Sequence, residues 1–214
     1  TRAAFAATQV AARNIEVGIK GGYMRKLAVI AVGGNALIRD KERVSIPDQY
    51  EVARTVAERV ADIVEQGWNV VLTHGNGPQV GFVMRRSELA DGQVAPVALD
   101  YAGADVQGAV GYMFCKALRN VFRRRGLPGE PIALVAQALV DRDDPAFARP
   151  GKPIGSWFDR ETAERLALLH GWSIVEDAGR GWRRVVPSPE PRAIVELEPI
   201  RHLVRQGYLT VTLG

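Results

Sequence analysis

The sequence has little cysteine and no long apolar run. Among 214 residues, Cys115 is the single cysteine, which excludes an internal disulfide and a zinc site built from several cysteines. A reducing, cytoplasmic setting fits this composition. The longest apolar stretches, such as Leu27–Val32, are far shorter than the ~20 residues of a membrane-spanning helix, so we expect no membrane partner.

Histidine is also scarce, and the charge is nearly balanced. The three histidines are scattered without the spacing of a metal site, so no protein metal site is predicted. The 28 basic residues face 24 acidic ones, giving a net charge of +4, which does not demand a nucleic-acid partner. The dense basic cluster at 123–125 is predicted to lie at a helix C-terminus, where the helix dipole favours cations.

The first 23 residues differ from the rest of the chain. They are rich in alanine and carry Arg2, Arg13 and Lys20 against Glu16 alone. We interpret them as a leader or as vector-derived residues ahead of Met24, because no continuous apolar segment of a secretory signal is present. Residues 24–214 are predicted to form the folded lobe.

From Met24 onwards, apolar β-branched runs alternate with helical periodicity. Strands are predicted at 26–32, 69–73, 132–137 and 208–213. Helices are predicted from Ser45 to Gly67, around Val106–Phe122 and over 199–206. This order predicts an α/β fold with a mostly parallel central sheet and helices on its faces.

Residues 141–187 are rich in turn-forming residues and are interpreted as a small projecting subdomain inserted in the lobe. Trp172–Glu176 and Trp182–Val186 are predicted to form a hairpin. Trp157 and the tryptophans that begin these two strands are expected to form a small core. Asp177 and the arginines at 180, 183 and 184 are expected to order the loop through salt bridges or to face solvent.

Two predicted strands run into glycine-rich loops. These are Gly33-Gly34-Asn35 and Gly75-Asn76-Gly77, and neither matches the phosphate-loop or dinucleotide-binding glycine patterns. Ligands of open α/β sheets bind beyond the carboxyl ends of strands, and glycine lets backbone amides approach them. The loops are therefore candidates for one anion cradle, with a purely structural turn as the alternative for each.

Other candidate residues have two interpretations. Lys152 lies in a stiff loop between prolines, where it either covers a site or is simply exposed. His74 is either a general base or a packed side chain, and no nucleophile accompanies it in a local motif. Cys115 is expected in the core, and His170 and His202 as capping or surface residues.

Several segments in order resemble carbamate kinases of the amino-acid kinase superfamily. The resemblance runs from about Leu27 to Gly214. It rests on Gly33–Ala36, His74–Gly81, Leu99-Asp100, Gln107–Tyr112, Asp144–Phe147, Lys152–Gly155 and Glu176–Pro189.

This resemblance implies a three-layer α/β/α fold, usually homodimeric, that interconverts ADP plus carbamoyl phosphate and ATP plus carbamate with Mg²⁺, often in arginine breakdown. It assigns substrate binding to six residues and catalysis to Lys152. The six are Gly33, Gly34, Asn35, Gly75, Asn76 and Gly77. A lysine and backbone amides suit phosphoryl transfer, which needs positioning and charge neutralisation more than covalent chemistry.

The chain also departs from that family. Val106 replaces a usual threonine, and Ser156-Trp157 replaces a common Pro-Phe. The sequence is expected to correspond to the carbamate-binding lobe, without the nucleotide-binding lobe. The isolated chain is therefore expected to be inactive. One alternative is a non-catalytic, truncated protein that binds anions or dimerises. Another is a related kinase that acts on another carboxylate or on a phosphonate.

Overall fold

The computed structural model describes residues 8–12, 26–38 and 42–214. The strands are β1 (Thr8–Ala12), β2 (Leu27–Val32), β3 (Asn69–His74), β4 (Pro131–Ala133), β5 (Ala138–Val140), β6 (Lys152–Phe158), β7 (Ser173–Glu176), β8 (Trp182–Val186), β9 (Pro191–Ile194) and β10 (Leu209–Thr212). The helices are α1 (Ile46–Glu65), α2 (Gly77–Leu89), α3 (Leu99–Arg125), α4 (Pro145–Ala148), α5 (Arg160–His170) and α6 (Leu197–Arg205). A short 3₁₀ turn covers Gly34–Leu37.

The chain folds into two compact units. Unit 1 comprises Thr1–Asn76, Gly103–Gln137 and Glu196–Gly214, and unit 2 comprises Gly77–Ala102 and Ala138–Val195. The leader interpretation for residues 1–23 lies outside the described residues except for β1. That strand pairs antiparallel with β2. Within the described ranges, no helix has the length and apolarity needed to cross a bilayer.

Unit 1 is built around a five-stranded sheet in the order β1-β2-β3-β10-β4. The β2–β3, β3–β10 and β10–β4 pairs are all parallel, which confirms the predicted parallel sheet. Every residue of β10 is buried, as are five of the six residues of β3, as expected for strands covered on both faces. The predicted strand at 132–137 is wrong in extent, because the sheet pairing of β4 ends at Ala133.

Two helices of unit 1 show how single residues set a helix start and a helix-to-sheet distance. The Ser45 hydroxyl accepts the Asp48 backbone N–H and the Asp48 carboxylate accepts the Ser45 N–H, a capping box that starts α1. Helix α3 lies so close to β4 that a Cβ added at Gly111 would stand 2.8 Å from the Ala133 Cβ. Glycine at this position therefore sets the distance between helix and sheet.

Unit 2 contains two antiparallel sheets. One is three-stranded, in the order β6-β8-β7, and the other pairs β5 with β9. The β7–β8 pairing, from Ser173 opposite Val185 to Glu176 opposite Trp182, confirms the predicted hairpin. Its turn is stabilised by Asp177, whose N–H donates to the carbonyl of Gly181.

The expected tryptophan core of this region is wrong for Trp157, whereas Trp172 and Trp182 are half-buried. Trp157 is 47% exposed, and the buried residues of unit 2 include Ala163, Val185 and Val186. The indole faces carry guanidinium groups instead. The cation–ring pairs are Arg180 and Arg183 over Trp157, Arg184 over Trp172 and Arg160 over Trp182, with distances of 4.5–5.7 Å to the ring centroids. Such pairs keep the charge hydrated while the aromatic face is covered.

Asp177 organises the turn through charge-assisted hydrogen bonds. Its carboxylate accepts from the indole N–H of Trp157 at 3.0 Å, from Arg180 at 2.9 Å and from Arg183 at 3.3 Å. These hydrogen bonds lower the pKa of the Asp177 carboxyl although partial burial opposes the shift. The expected salt bridges of this loop are thus present for Arg180 and Arg183, whereas Arg184 lies over the Trp172 ring.

The basic cluster at the C-terminal end of α3 binds the acidic face of α1. Arg125 lies 2.7 Å from Asp62 and 3.3 Å from Glu65, and it also pairs with Glu58. The predicted position at a helix C-terminus is correct, and these ion pairs add a tie between two helices. Arg125 lowers the pKa of Asp62.

We predict that Arg125→Gln lowers the thermal midpoint of unfolding at pH 7. Because the pKa of Asp62 is below its ordinary value of 3.8 in the folded state, its stabilising effect is present above that value and is lost as pH falls through the folded pKa. The variant should therefore lose less stability than the parent on acidification below about pH 4. Arg123→Gln is the matched control; identical pH profiles for parent and Arg125→Gln would contradict the prediction.

Candidate functional site

The two glycine loops of the sequence meet at one edge of the parallel sheet. Val32 and His74, the last residues of β2 and β3, stand opposite each other in register. The Gly75 N–H donates to the Val32 carbonyl at 2.7 Å, and the Ala36 N–H closes the first turn on the Gly33 carbonyl at 2.8 Å. Both loops therefore leave the sheet at the same carboxyl-end edge, where ligands of such sheets bind.

The loops touch through backbone atoms with no room for a side chain. A Cβ at Gly34 would lie 2.9 Å from the Asn76 nitrogen and 2.9 Å from the Gly75 carbonyl carbon. A Cβ at Gly75 would lie 2.6 Å from the Gly34 nitrogen. Gly33 differs, because its added Cβ would meet nothing within 4 Å. Glycine is thus required sterically at two of these positions.

Five of the six predicted substrate-binding residues lie at this edge of unit 1. They are Gly33, Gly34, Asn35, Gly75 and Asn76. Asn35 is exposed and Asn76 is half-buried, so both amide side chains belong to the surface of the loops. The structure brings Gly34, Gly75 and Asn76 into contact, while their role in binding substrate stays a prediction.

The sixth substrate-binding candidate, Gly77, and the catalytic candidate, Lys152, belong to unit 2. Gly77 is the first residue of α2 and has open space where a Cβ would stand. Lys152 is exposed and begins β6, opposite Val186 of β8. Their predicted roles stay predictions.

His74 has the environment of a packed side chain. It is 4% exposed, and its ring lies 6.1 Å from that of Phe114, centroid to centroid. Burial lowers the pKa of His74, because desolvation disfavours the imidazolium. A Cβ at Gly214 would lie 2.8 Å from Nε2 of His74, so the ring is enclosed by unit 1 and is neutral at pH 7.

The remaining singled-out side chains have structural surroundings. Cys115 is buried, which raises the pKa of its thiol to about 11 and makes it a poor nucleophile. His170 is the last residue of α5 and stacks on Trp172 at 5.2 Å, centroid to centroid, whereas His202 lies in the last turn of α6. In the part of the chain that is described, no three His, Cys, Asp or Glu residues cluster as metal ligands would.

The sequence did not reveal how the loop after β4 is held at the same edge. The Gln107 amide donates to the Ala136 carbonyl at 3.0 Å and accepts the Ala136 N–H at 3.0 Å. The Glu196 carboxylate accepts the Gln137 backbone N–H at 2.7 Å. Gln107 gave no distinctive signal in the sequence, because α3 contains other polar and charged residues; its partner is 29 residues away and is found only in the fold.

The comparison with known families decides the assignment. The profile described as "Amino acid kinase family" matches residues 26–214, which includes both glycine loops and Lys152.

The chain belongs to the amino acid kinase family.

Its curated relatives confirm the resemblance seen in the sequence. This kinase-family chain is 44% identical over 193 residues to the carbamate kinase of Pyrococcus horikoshii, covering 89% of the chain and 62% of that protein. It is 42% identical to the carbamate kinase-like protein YahI of Escherichia coli, covering 89% and 61%. The chain therefore spans about 60% of the length of the relatives it matches.

Solved structures agree with the fold. Carbamate kinase from Giardia lamblia bound to AMP-PNP superimposes with a TM-score of 0.80 at 39% sequence identity. The match covers 87% of this chain and 59% of the Giardia protein. Together with the parallel sheet of unit 1, this confirms the predicted amino-acid kinase fold.

We predict that Gly34→Ala and Gly75→Ala each lower the free energy of unfolding by about 1–3 kcal/mol, the usual effect of forcing extra atoms into packed surroundings. Gly33→Ala is the matched control, because its φ of −60° and ψ of 142° suit alanine and its Cβ meets no atom. Denaturant unfolding of the three variants measures the difference. Equal stability of all three would show that the loops separate at little cost.

Proposed function

We propose that this chain supplies the carbamate-binding part of a carbamate kinase, which interconverts ADP plus carbamoyl phosphate and ATP plus carbamate. The observation that carries the proposal is the backbone contact of Gly34 with Gly75 at the carboxyl ends of two parallel strands. The 44% identity to a carbamate kinase over 89% of the chain supports it. The activity is proposed for the complete polypeptide that carries this chain.

The glycine loops would bind the carbamate and the phosphoryl group that is transferred. Their main chain is accessible to a small anion because the residues that flank the contact have no bulky side chains: Gly33 and Asn35 are exposed. Neutral amide donors of Asn35 and Asn76 would hold the carbamate oxygens by hydrogen bonds. This loop geometry suits a substrate of a few heavy atoms whose position must be fixed within a fraction of an ångström.

The reaction needs no catalytic base. A carbamate oxygen would form the bond to the γ-phosphorus of ATP while the bond from that phosphorus to the bridging oxygen breaks, and the electron pair leaves with ADP. Negative charge spreads over the equatorial oxygens during transfer, so cationic and amide donors lower the barrier. Among the candidates, the backbone of the loops and the ammonium of Lys152 supply such donors. The neutral, buried His74 is left with a packing role.

The nucleotide and its magnesium are also part of the proposal. The Giardia relative was solved with AMP-PNP, an analogue of ATP, and we propose ATP and ADP as cosubstrates here. Residues 26–38 and 42–214 contain no group of three potential metal-binding side chains. Mg²⁺ is usually held by substrate phosphates with one or two carboxylates, so we propose that it would bind here together with the nucleotide.

The resemblance further leads us to propose a homodimer in the cytoplasm with a place in arginine breakdown. No nucleic-acid or membrane partner is proposed.

The direct test is formation of ATP from carbamoyl phosphate and ADP by the full-length polypeptide, with acetyl phosphate and other acyl phosphates as competing donors. We expect carbamoyl phosphate to be the preferred donor by its kcat/KM. A preference for another acyl phosphate would assign a different member of the family. Absence of transfer, together with retained binding of small anions by calorimetry, would favour a non-catalytic protein.

We predict that Lys152→Ala in the full-length enzyme lowers kcat by about 10²–10³, the usual effect of removing one donor that acts on transition-state charge, with a smaller effect on KM. Lys26→Ala is the matched control. Its ammonium lies over the Trp68 ring at the amino end of β2, the opposite end of that strand from the glycine loops. A rate for Lys152→Ala within twofold of the parent would make Lys152 a surface lysine.

A further inference from the structure

Unit 2 contains a cavity of about 440 Å³ that the proposed phosphoryl transfer does not use. Its walls come from α2, α5, the segment before α3 and the β6-β8-β7 sheet, all within unit 2. Apolar side chains form one part of the wall, among them Phe158, Leu166 and Trp172, and Lys152 is not among the lining residues.

The charged part of the cavity wall includes Arg184, whose guanidinium has no hydrogen-bond acceptor among the described residues. Arg184 lies on β8 with its guanidinium 4.9 Å from the centroid of the Trp172 ring. No hydrogen bond or ion pair joins Arg184 to another described residue, although it is half-buried. Desolvation lowers the pKa of Arg184, with Glu88 opposing this effect. A partly desolvated guanidinium without an acceptor is costly unless a ligand supplies one.

The acidic residues of the cavity are already occupied. Glu88 accepts from Arg85 at 3.4 Å and from the hydroxyl of Ser156 at 3.2 Å. Asp91 lies 3.9 Å from Nε2 of His170. Glu88 therefore acts on Arg184 through its charge alone, and neither carboxylate forms a hydrogen bond or ion pair with it.

The balance of charge limits the class of ligand. Three arginines and two carboxylates line the cavity, which leaves one net positive charge when the histidine is neutral. Of the other two arginines that line the cavity, Arg85 pairs with Glu88, whereas Arg165, on the exposed side of α5, has no ion pair with a described residue. One surplus positive charge beside two carboxylates favours a monoanion over a dianionic phosphate. The planar guanidinium matches a carboxylate in two parallel hydrogen bonds.

We propose that this cavity binds a small organic carboxylate with an apolar body. The carboxylate pairs with Arg184, and the body packs against Trp172, Leu166 and Phe158. The inference is independent of the proposed kinase activity, because every residue that carries it lies in unit 2 and none belongs to the glycine loops or to Lys152.

The test is titration of the full-length, ¹⁵N-labelled protein with 3-phenylpropionate, following the indole N–H signals. We expect saturable movement of the Trp172 signal, while the Trp157 indole, which donates to Asp177, stays unmoved. The neutral 3-phenylpropionamide should bind at least tenfold more weakly, because it lacks the charge that strengthens hydrogen bonds to arginine. Phenyl phosphate should also bind more weakly than the carboxylate.

Arg184→Gln should weaken binding of 3-phenylpropionate by about tenfold or more. The matched control is Arg149→Gln, an exposed arginine of the same unit outside the cavity, which should bind as the parent does. If Arg184→Gln fails to fold by circular dichroism, Arg165→Gln replaces it, with a smaller loss expected. No saturable Trp172 shift, equal binding of the amide, tighter binding of phenyl phosphate or equal weakening in Arg149→Gln would each overturn the proposal.

Discussion

The contact between two glycines at the carboxyl ends of β2 and β3 is the constraint on which the site depends. Parallel pairing places Val32 beside His74, so the loops that follow must diverge or touch. They touch because neither Gly34 nor Gly75 has a Cβ, and the closest approach involves main-chain atoms only. The result is a surface of backbone at the carboxyl end of the sheet, which suits the small anion of the proposed function.

The surrounding sheet supports this contact. Strand β10 lies between β3 and β4, is buried along its whole length and pairs in parallel with both. Side chains add further restraint, since Gln107 brackets both backbone groups of Ala136 and Glu196 holds Gln137. The loops that follow β2, β3 and β4 are therefore each held by specific contacts: backbone contacts for the first two and side-chain hydrogen bonds for the third. Precise positioning is what phosphoryl transfer asks of a protein.

Unit 2 uses charge differently from unit 1. In unit 1 the arginines of α3 find carboxylates on α1. In unit 2 arginines cover tryptophan faces, and Asp177 gathers Arg180 and Arg183 into the turn. Arg184 follows Arg183 along β8; it covers the Trp172 ring and lines the cavity. Two adjacent arginines thus have different roles because successive residues of a strand point to opposite faces.

The sequence by itself determined the order of strands and helices in unit 1 from β2 onwards, the start of α1 at Ser45, the β7–β8 hairpin and the resemblance to carbamate kinases. It did not predict β1, which pairs with β2. These features are local: they follow from hydrophobic period, caps and short motifs. Only the tertiary structure decided that Trp157 is exposed, that β4 ends at Ala133, and that Gln107 holds Ala136. Those outcomes depend on partners distant in the chain, which no local pattern specifies. The contact of Gly34 with Gly75 depends on local sequence and on tertiary structure. The glycines are visible in the sequence, and the parallel pairing of β2 with β3 brings them together.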